Sequence, residues 1–140
     1  MERWRTIAAF PNYQVSDQGR VRRIKAGRII ALVRGGRRDP RNAVGLYRDG
    51  KQYKVHVARL VLTAFVRPPK PGELALHKKD DLSTDRPRDL RWGTQKDNVQ
   101  DALNNRRYRS PSYWKGKTFS VDHRANLSIA LWQAWRLGRR

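Results

Sequence analysis

After Pro68-Pro69 the chain leaves room only for short elements, and their order constrains the fold more than any other feature. Leu74 to His77 reads as a strand, Arg88 to Trp92 as its partner, and Thr94 to about Asn105 as a helix, with Thr94 and Asp97 spaced as a capping box. The order is strand, basic loop, strand, capped helix. It sets His77 at a strand end and Asn98 in a first helical turn, places where a site can be assembled.

The preceding segment supplies the apolar prop that such short elements need. Val57, Leu60, Val61, Ala64 and Phe65 recur at helical spacing, which predicts a helix from about His56 to Phe65. Ahead of it, Val44 to Tyr47 and Gln52 to Val55 flank Arg48-Asp49-Gly50-Lys51, and an Asp-Gly pair between alternating residues signals a hairpin. From Trp4 to about Val33 short strands and turns are expected, with Gly19 in a Ser16-Asp17-Gln18-Gly19 turn. A basic connector, Arg34 to Arg41, follows. At the other end Leu127, Leu131 and Trp135 form a stripe that predicts a helix from about Arg124 to Leu137, with Trp132 beside it. No internal repeat is present.

Charge and composition limit the function classes. The 140 residues carry 32 Lys and Arg against 12 Asp and Glu, a net charge of +20 spread along most of the length, so a polyanion is the expected partner. With 38% hydrophobic residues the chain can bury one modest core or two small ones. No apolar run approaches the length of a membrane span and no signal-peptide pattern opens the chain, so neither a membrane nor secretion is expected. The absence of cysteine excludes disulfides and Cys-ligated zinc, so any metal must bind through oxygen or imidazole nitrogen. A basic RNA-binding or ribosome-associated protein would share this charge but would leave the spacing of His77 and Asn98 unexplained.

Cleaving a phosphodiester requires an activated water, a cation near the charge developing on the leaving oxygen, and groups that hold the phosphate. Neutral His77 can serve as the base, since imidazole ordinarily titrates near neutral pH. Asn98 offers an amide oxygen to a hard cation such as magnesium, and Lys or Arg can hold the phosphate.

Two stretches resemble a known family. The run Leu76-His77, then Asp89-Leu90-Arg91-Trp92-Gly93-Thr94-Gln95-Lys96-Asp97-Asn98, behind the helix Val55 to Phe65, resembles the HNH endonucleases of the phage and intron homing type, with their ββα-metal fold. Trp4 followed by Phe10-Pro11-Asn12-Tyr13-Gln14-Val15-Ser16-Asp17-Gln18-Gly19-Arg20-Val21 is similar to the nuclease-associated modular domain that often precedes them. The resemblance implies an α+β protein in three parts. Residues 1–43 would be a small β-rich DNA-binding module, 44–105 the ββα-metal nuclease domain, and 106–140 a basic DNA-binding segment with a helix.

The resemblance further implies that His77 is the general base, that Asn98 binds the metal, Mg²⁺ or Mn²⁺, and that Asp89 stands where the family has its middle Asn, which orders the loop between the strands. Three departures accompany it. Leu76 occupies the position where many members carry an acidic metal ligand, Asp89 lacks the amide donors of Asn, and Lys79 replaces a frequent Asp. Asp80 and Asp81 are the remaining acidic groups near His77, in what reads as an exposed turn. The expected phosphate contacts are Arg37, Arg38, Arg41, Lys78, Lys79, Arg86, Arg88, Arg91, Arg106, Arg107 and Arg109.

Each of these residues also has an ordinary reading. Histidine is commonly half-buried packing, asparagine is a common first-turn polar residue, Asp89 suits a turn, and the basic clusters suit solvated linkers. His56 is expected to pack or cap at its helix start, and His123 has no partner spacing. The expectation is a metal-dependent endonuclease acting on double-stranded DNA in the cytoplasm, the host's if phage-borne, as a monomer that nicks or a dimer that cuts both strands. Its rival is an HNH-derived DNA-binding protein with weakened or lost catalysis.

Overall fold

The structure is a computed structural model and describes residues 1–34 and 39–105. The expected C-terminal helix, 124–137, lies outside them. Residues Met1–Gly93 form one compact unit, and a second begins at Thr94.

The first sheet is antiparallel, β1 (Trp4–Ile7), β2 (Phe10–Ser16) and β3 (Val21–Arg23), joined in chain order. The β2–β3 turn forms as the sequence predicts. Gly19 takes φ +79°, and the Ser16 hydroxyl accepts from the backbone N–H of Arg20 at 3.0 Å. The second sheet comprises β4 (Val33–Arg34), β5 (Asn42–Arg48) and β6 (Lys51–His56). Its β5–β6 hairpin turns on Asp49 at φ 52° and Gly50 at φ 73°, two positive values in succession, as a tight twisted hairpin demands.

Strand β6 runs directly into helix α1 (Val57–Phe65), whose Val57, Ala58, Leu60, Val61 and Leu62 are all buried. His56 stands at the N-cap with an extended backbone, and its side chain makes no capping bond there. The other end of α1 is capped from afar, because Arg5 donates from Nη1 to the Ala64 carbonyl at 2.8 Å and stacks its guanidinium over Phe65. A cation also suits the negative end of the helix.

The third sheet is a two-stranded ribbon, β7 (Leu74–His77) against β8 (Leu90–Gly93), with His77 opposite Leu90. Arg88 and Asp89 are expected in the second strand but lie in a 3₁₀ turn, Pro87–Asp89, ahead of it. Proline at the first position of that turn has no N–H to offer a strand ladder and a φ suited to a helical turn. In the second unit, α2 (Gln95–Asn104) starts at Thr94 with the expected capping box, in which the Thr94 hydroxyl accepts from Asp97 N–H while the Asp97 carboxylate accepts from Thr94 N–H.

One core serves all of residues 1–93. Ile7, Phe10, Tyr13, Val15 and Val21 from the first sheet meet Val44 and Leu46 from the second, Leu90 from the third, and the buried face of α1 between them. Residue 43, the last of the expected N-terminal module, lies within β5 and pairs with Val33 of β4. Trp92 ties the ribbon to the chain after α1, donating from Nε1 to the Arg67 carbonyl at 3.0 Å.

Leu62 has no exposed surface. Leu62→Ala is expected to cost about 2–5 kcal/mol by leaving a cavity at the junction of the three sheets. Denaturant unfolding measures it, and a cost below about 1 kcal/mol would show that α1 is not the shared prop.

Candidate active site

His77 is the last residue of β7, and strand pairing with Leu90 turns its ring inward, leaving the residue 6% exposed. An imidazole so buried requires a polar partner. The partner is Asp85, eight residues on in the loop, whose Oδ1 lies 3.0 Å from His77 Nε2. Asp85 is itself 5% exposed, and its second oxygen, Oδ2, accepts from Asn42 Nδ2 at 2.8 Å. Asn42, 8% exposed at the start of β5, completes a buried chain of three side chains drawn from three separate segments.

A fourth segment closes over it. A Cβ added at Gly19 would lie 2.9 Å from Asp85 Cβ and 3.2 Å from its carbonyl oxygen, so the β2–β3 turn rests directly on Asp85. Sequence reading did not find Asp85 or Asn42. No periodicity or motif marks either one, and only the folded chain brings them beside His77.

Immediately past His77 the surface opens into a polar cleft of ≈ 260 Å³, lined by Lys78, Lys79, Asp81, Thr84, Arg86, Arg88 and Asp89. Four of the expected phosphate-contact residues are thus brought together. Two are held from within the loop: Lys78 donates from Nζ to the Arg88 carbonyl at 2.7 Å, and Arg88 Nε stands 3.8 Å from Asp89 Oδ1. Asp89 anchors the loop through its backbone. Its N–H donates to the Arg86 carbonyl, and its carbonyl accepts from Lys78 N–H at 2.9 Å. That last bond holds the residue next to His77.

The other expected residues are distributed more widely. Arg91 lies opposite Leu76 in the ribbon. Arg41 is engaged by Asp39 through two bonds of 2.7 and 3.0 Å, and its guanidinium holds the Asp39 carboxyl down to about 2. His56 Nε2 lies 3.3 Å from the same carboxylate, while burial and then the Arg41 charge lower the affinity of its ring for a proton. Arg37, Arg38, Arg106, Arg107 and Arg109 lie outside the described residues. Asn98 belongs to the second unit, exposed on the first turn of α2.

Leu76 is buried and apolar, so no ligand stands beside His77 in β7. Among the described residues no three His, Cys, Asp or Glu side chains gather into a cation cage. A hard cation that draws most of its ligands from water and substrate oxygens needs few protein donors.

A family model described as the NUMOD4 motif matches residues 2–38. The chain is 33% identical to the DNA endonuclease I-HmuI of Bacillus phage SP01 over 101 residues, 71% of this chain and 57% of that protein. A solved structure, DNA binding and cleavage by the HNH homing endonuclease I-HmuI, matches with a TM-score of 0.73 and 28% identity, over 81% of this chain and 64% of that one. The chain is thus similar to HNH homing endonucleases and carries a NUMOD4 motif near its start. An uncharacterized HNH endonuclease, L245, of Acanthamoeba polyphaga mimivirus is 26% identical over 103 residues, 74% of this chain and 30% of its own. The chain thus spans little more than half of I-HmuI and less of L245.

Gly19 is constrained twice, by its positive φ and by its closeness to Asp85. Gly19→Ala is expected to destabilise the protein by about 1–3 kcal/mol in denaturant unfolding. A change under about 0.5 kcal/mol would mean that the turn is not seated on the loop.

Proposed function

We propose that the chain is a divalent-metal-dependent DNA endonuclease in which His77 removes a proton from the water that attacks a phosphodiester in line, giving 5′-phosphate and 3′-hydroxyl ends. The observation that carries this reading is a histidine paired with a buried carboxylate and followed directly in the chain by a cleft bearing Lys78, Lys79, Arg86 and Arg88. Cations at that edge suit the phosphate next to the one being cut. Mg²⁺ or Mn²⁺ held by the Asn98 amide oxygen with phosphate oxygens and water would supply positive charge at the leaving 3′ oxygen.

The division of labour we assign follows the three segments. Residues 1–43 and 106–140, with Arg37, Arg38, Arg41, Arg106, Arg107 and Arg109, bind double-stranded DNA along its phosphates, and 44–105 cleaves it. Asp89 keeps the loop in shape around the cleft. A single site cuts one strand at a time, so a monomer nicks. Among the described residues no helix is long and apolar enough to cross a membrane.

The rival, DNA binding with weakened or lost cleavage, draws on Leu76 and on the 4% exposure of the His77 side chain. Nicking of supercoiled plasmid separates the two. His77→Ala would leave Asp85 buried without its main partner and is expected to lose stability as well as activity, so His77→Gln, which retains a donor, is the sharper variant. Expected is metal-dependent nicking in the wild type, lost by about 10²-fold or more in His77→Gln with duplex affinity nearly unchanged. Binding without nicking in magnesium or manganese would establish the rival.

Asn98→Ala is expected to raise the magnesium concentration needed for half-maximal nicking by about tenfold or more. An unchanged metal response would move the ligand role to Asp80 or Asp81.

A further inference from the structure

His77 has two ring nitrogens, and only one is available to take a proton from water. An ionised Asp85 can only accept hydrogen bonds. Its Oδ2 is already turned to an obligate donor, the Asn42 amide nitrogen, at 2.8 Å, and its Oδ1 faces His77 Nε2 at 3.0 Å. The neutral imidazole must then carry its proton on Nε2 and keep the lone pair on Nδ1. We propose that Asp85 is a positioning residue that makes Nδ1 of His77 the basic atom, and that Asn42 and the Ser16–Arg20 turn hold Asp85 in place, so that the N-terminal module contributes to catalysis as well as to binding DNA. This rests on the nuclease reading above and deepens it.

The geometry favours this assignment over simple packing in two respects. Asn42 supplies a donor to the oxygen that His77 does not use, which fixes the rotation of the carboxylate about its bond. Gly19 removes the Cβ that would otherwise push Asp85 away, and the turn it closes is tied at both ends, with Ser16 N–H donating to the Arg20 carbonyl at 2.8 Å and Gly19 N–H to the Ser16 carbonyl at 3.1 Å. A carboxyl group needed only to fill space would not require a polar partner at each oxygen. Burial also strengthens the pairing, since few waters compete for either partner.

The test compares wild type, Asp85→Asn, Asn42→Ala and His77→Gln. It reads the His77 tautomer from ring ¹H–¹⁵N correlation spectra of the free protein, and single-turnover cleavage, duplex affinity and thermal unfolding of the same samples. Expected is the Nε2–H tautomer in wild type. Asp85→Asn should raise the Nδ1–H fraction and slow cleavage by about 10–100-fold with little change in affinity, and Asn42→Ala should do the same more weakly. An Nδ1–H ring in wild type, or Asp85→Asn with wild-type tautomer and rate, overturns the proposal. So does a loss of rate that tracks unfolding while the tautomer stays fixed, since that is a structural role. If neither wild type nor His77→Gln cleaves, the nuclease reading falls, and if both cleave equally, the role of His77 as base falls; in either case the spectra still decide whether Asp85 and Asn42 set the tautomer.

Discussion

A carboxyl group taken out of water must be given hydrogen-bonding partners, and Asp85 gets them from separate parts of the chain. His77 comes from the end of a ribbon strand, Asn42 from the start of a strand in another sheet, and the turn at Gly19 from a third. Satisfying this one buried group requires the three sheets to dock in a single arrangement. The apolar contacts around α1 supply most of the stability, but they tolerate sliding in a way that two opposed hydrogen bonds to one carboxylate do not.

A small part of the positive charge is paired locally. Arg3 pairs with Asp17, Arg20 with Glu2, Arg41 with Asp39 and Arg67 with Glu73, and in the last pair the guanidinium holds the Glu73 carboxyl down to about 2. These exposed pairs contribute little stability singly. Most cations remain without a carboxylate to offset them, and in the cleft past His77 Lys78, Lys79, Arg86 and Arg88 converge. A field concentrated in this way attracts a polyanion more effectively than the same charge spread evenly.

Local elements were legible because their signals are local. The Asp49-Gly50 pair dictates a hairpin by its two positive φ angles, the Val57 to Phe65 spacing dictates a helix face, and Thr94 with Asp97 dictates where α2 begins. Strand β8 starts at Leu90 instead of Arg88, because the run of residues up to Trp92 is compatible with either a strand or a short helical turn before it. Of the site, His77 and the basic loop could be picked out from spacing and resemblance. Asp85 was hidden among polar loop residues, and Asn42 among the residues of a strand start.

The sequence by itself determined which short elements could exist, their order, and the presence of a histidine and an asparagine at element ends within a strongly basic chain, since periodicity, turn chemistry and charge act over a few residues. Only the tertiary structure decided that the N-terminal turn, the start of β5 and the β7–β8 loop converge on one carboxylate. That choice follows from the pairing of buried polar groups, whose partners are selected by geometry after the sheets have packed.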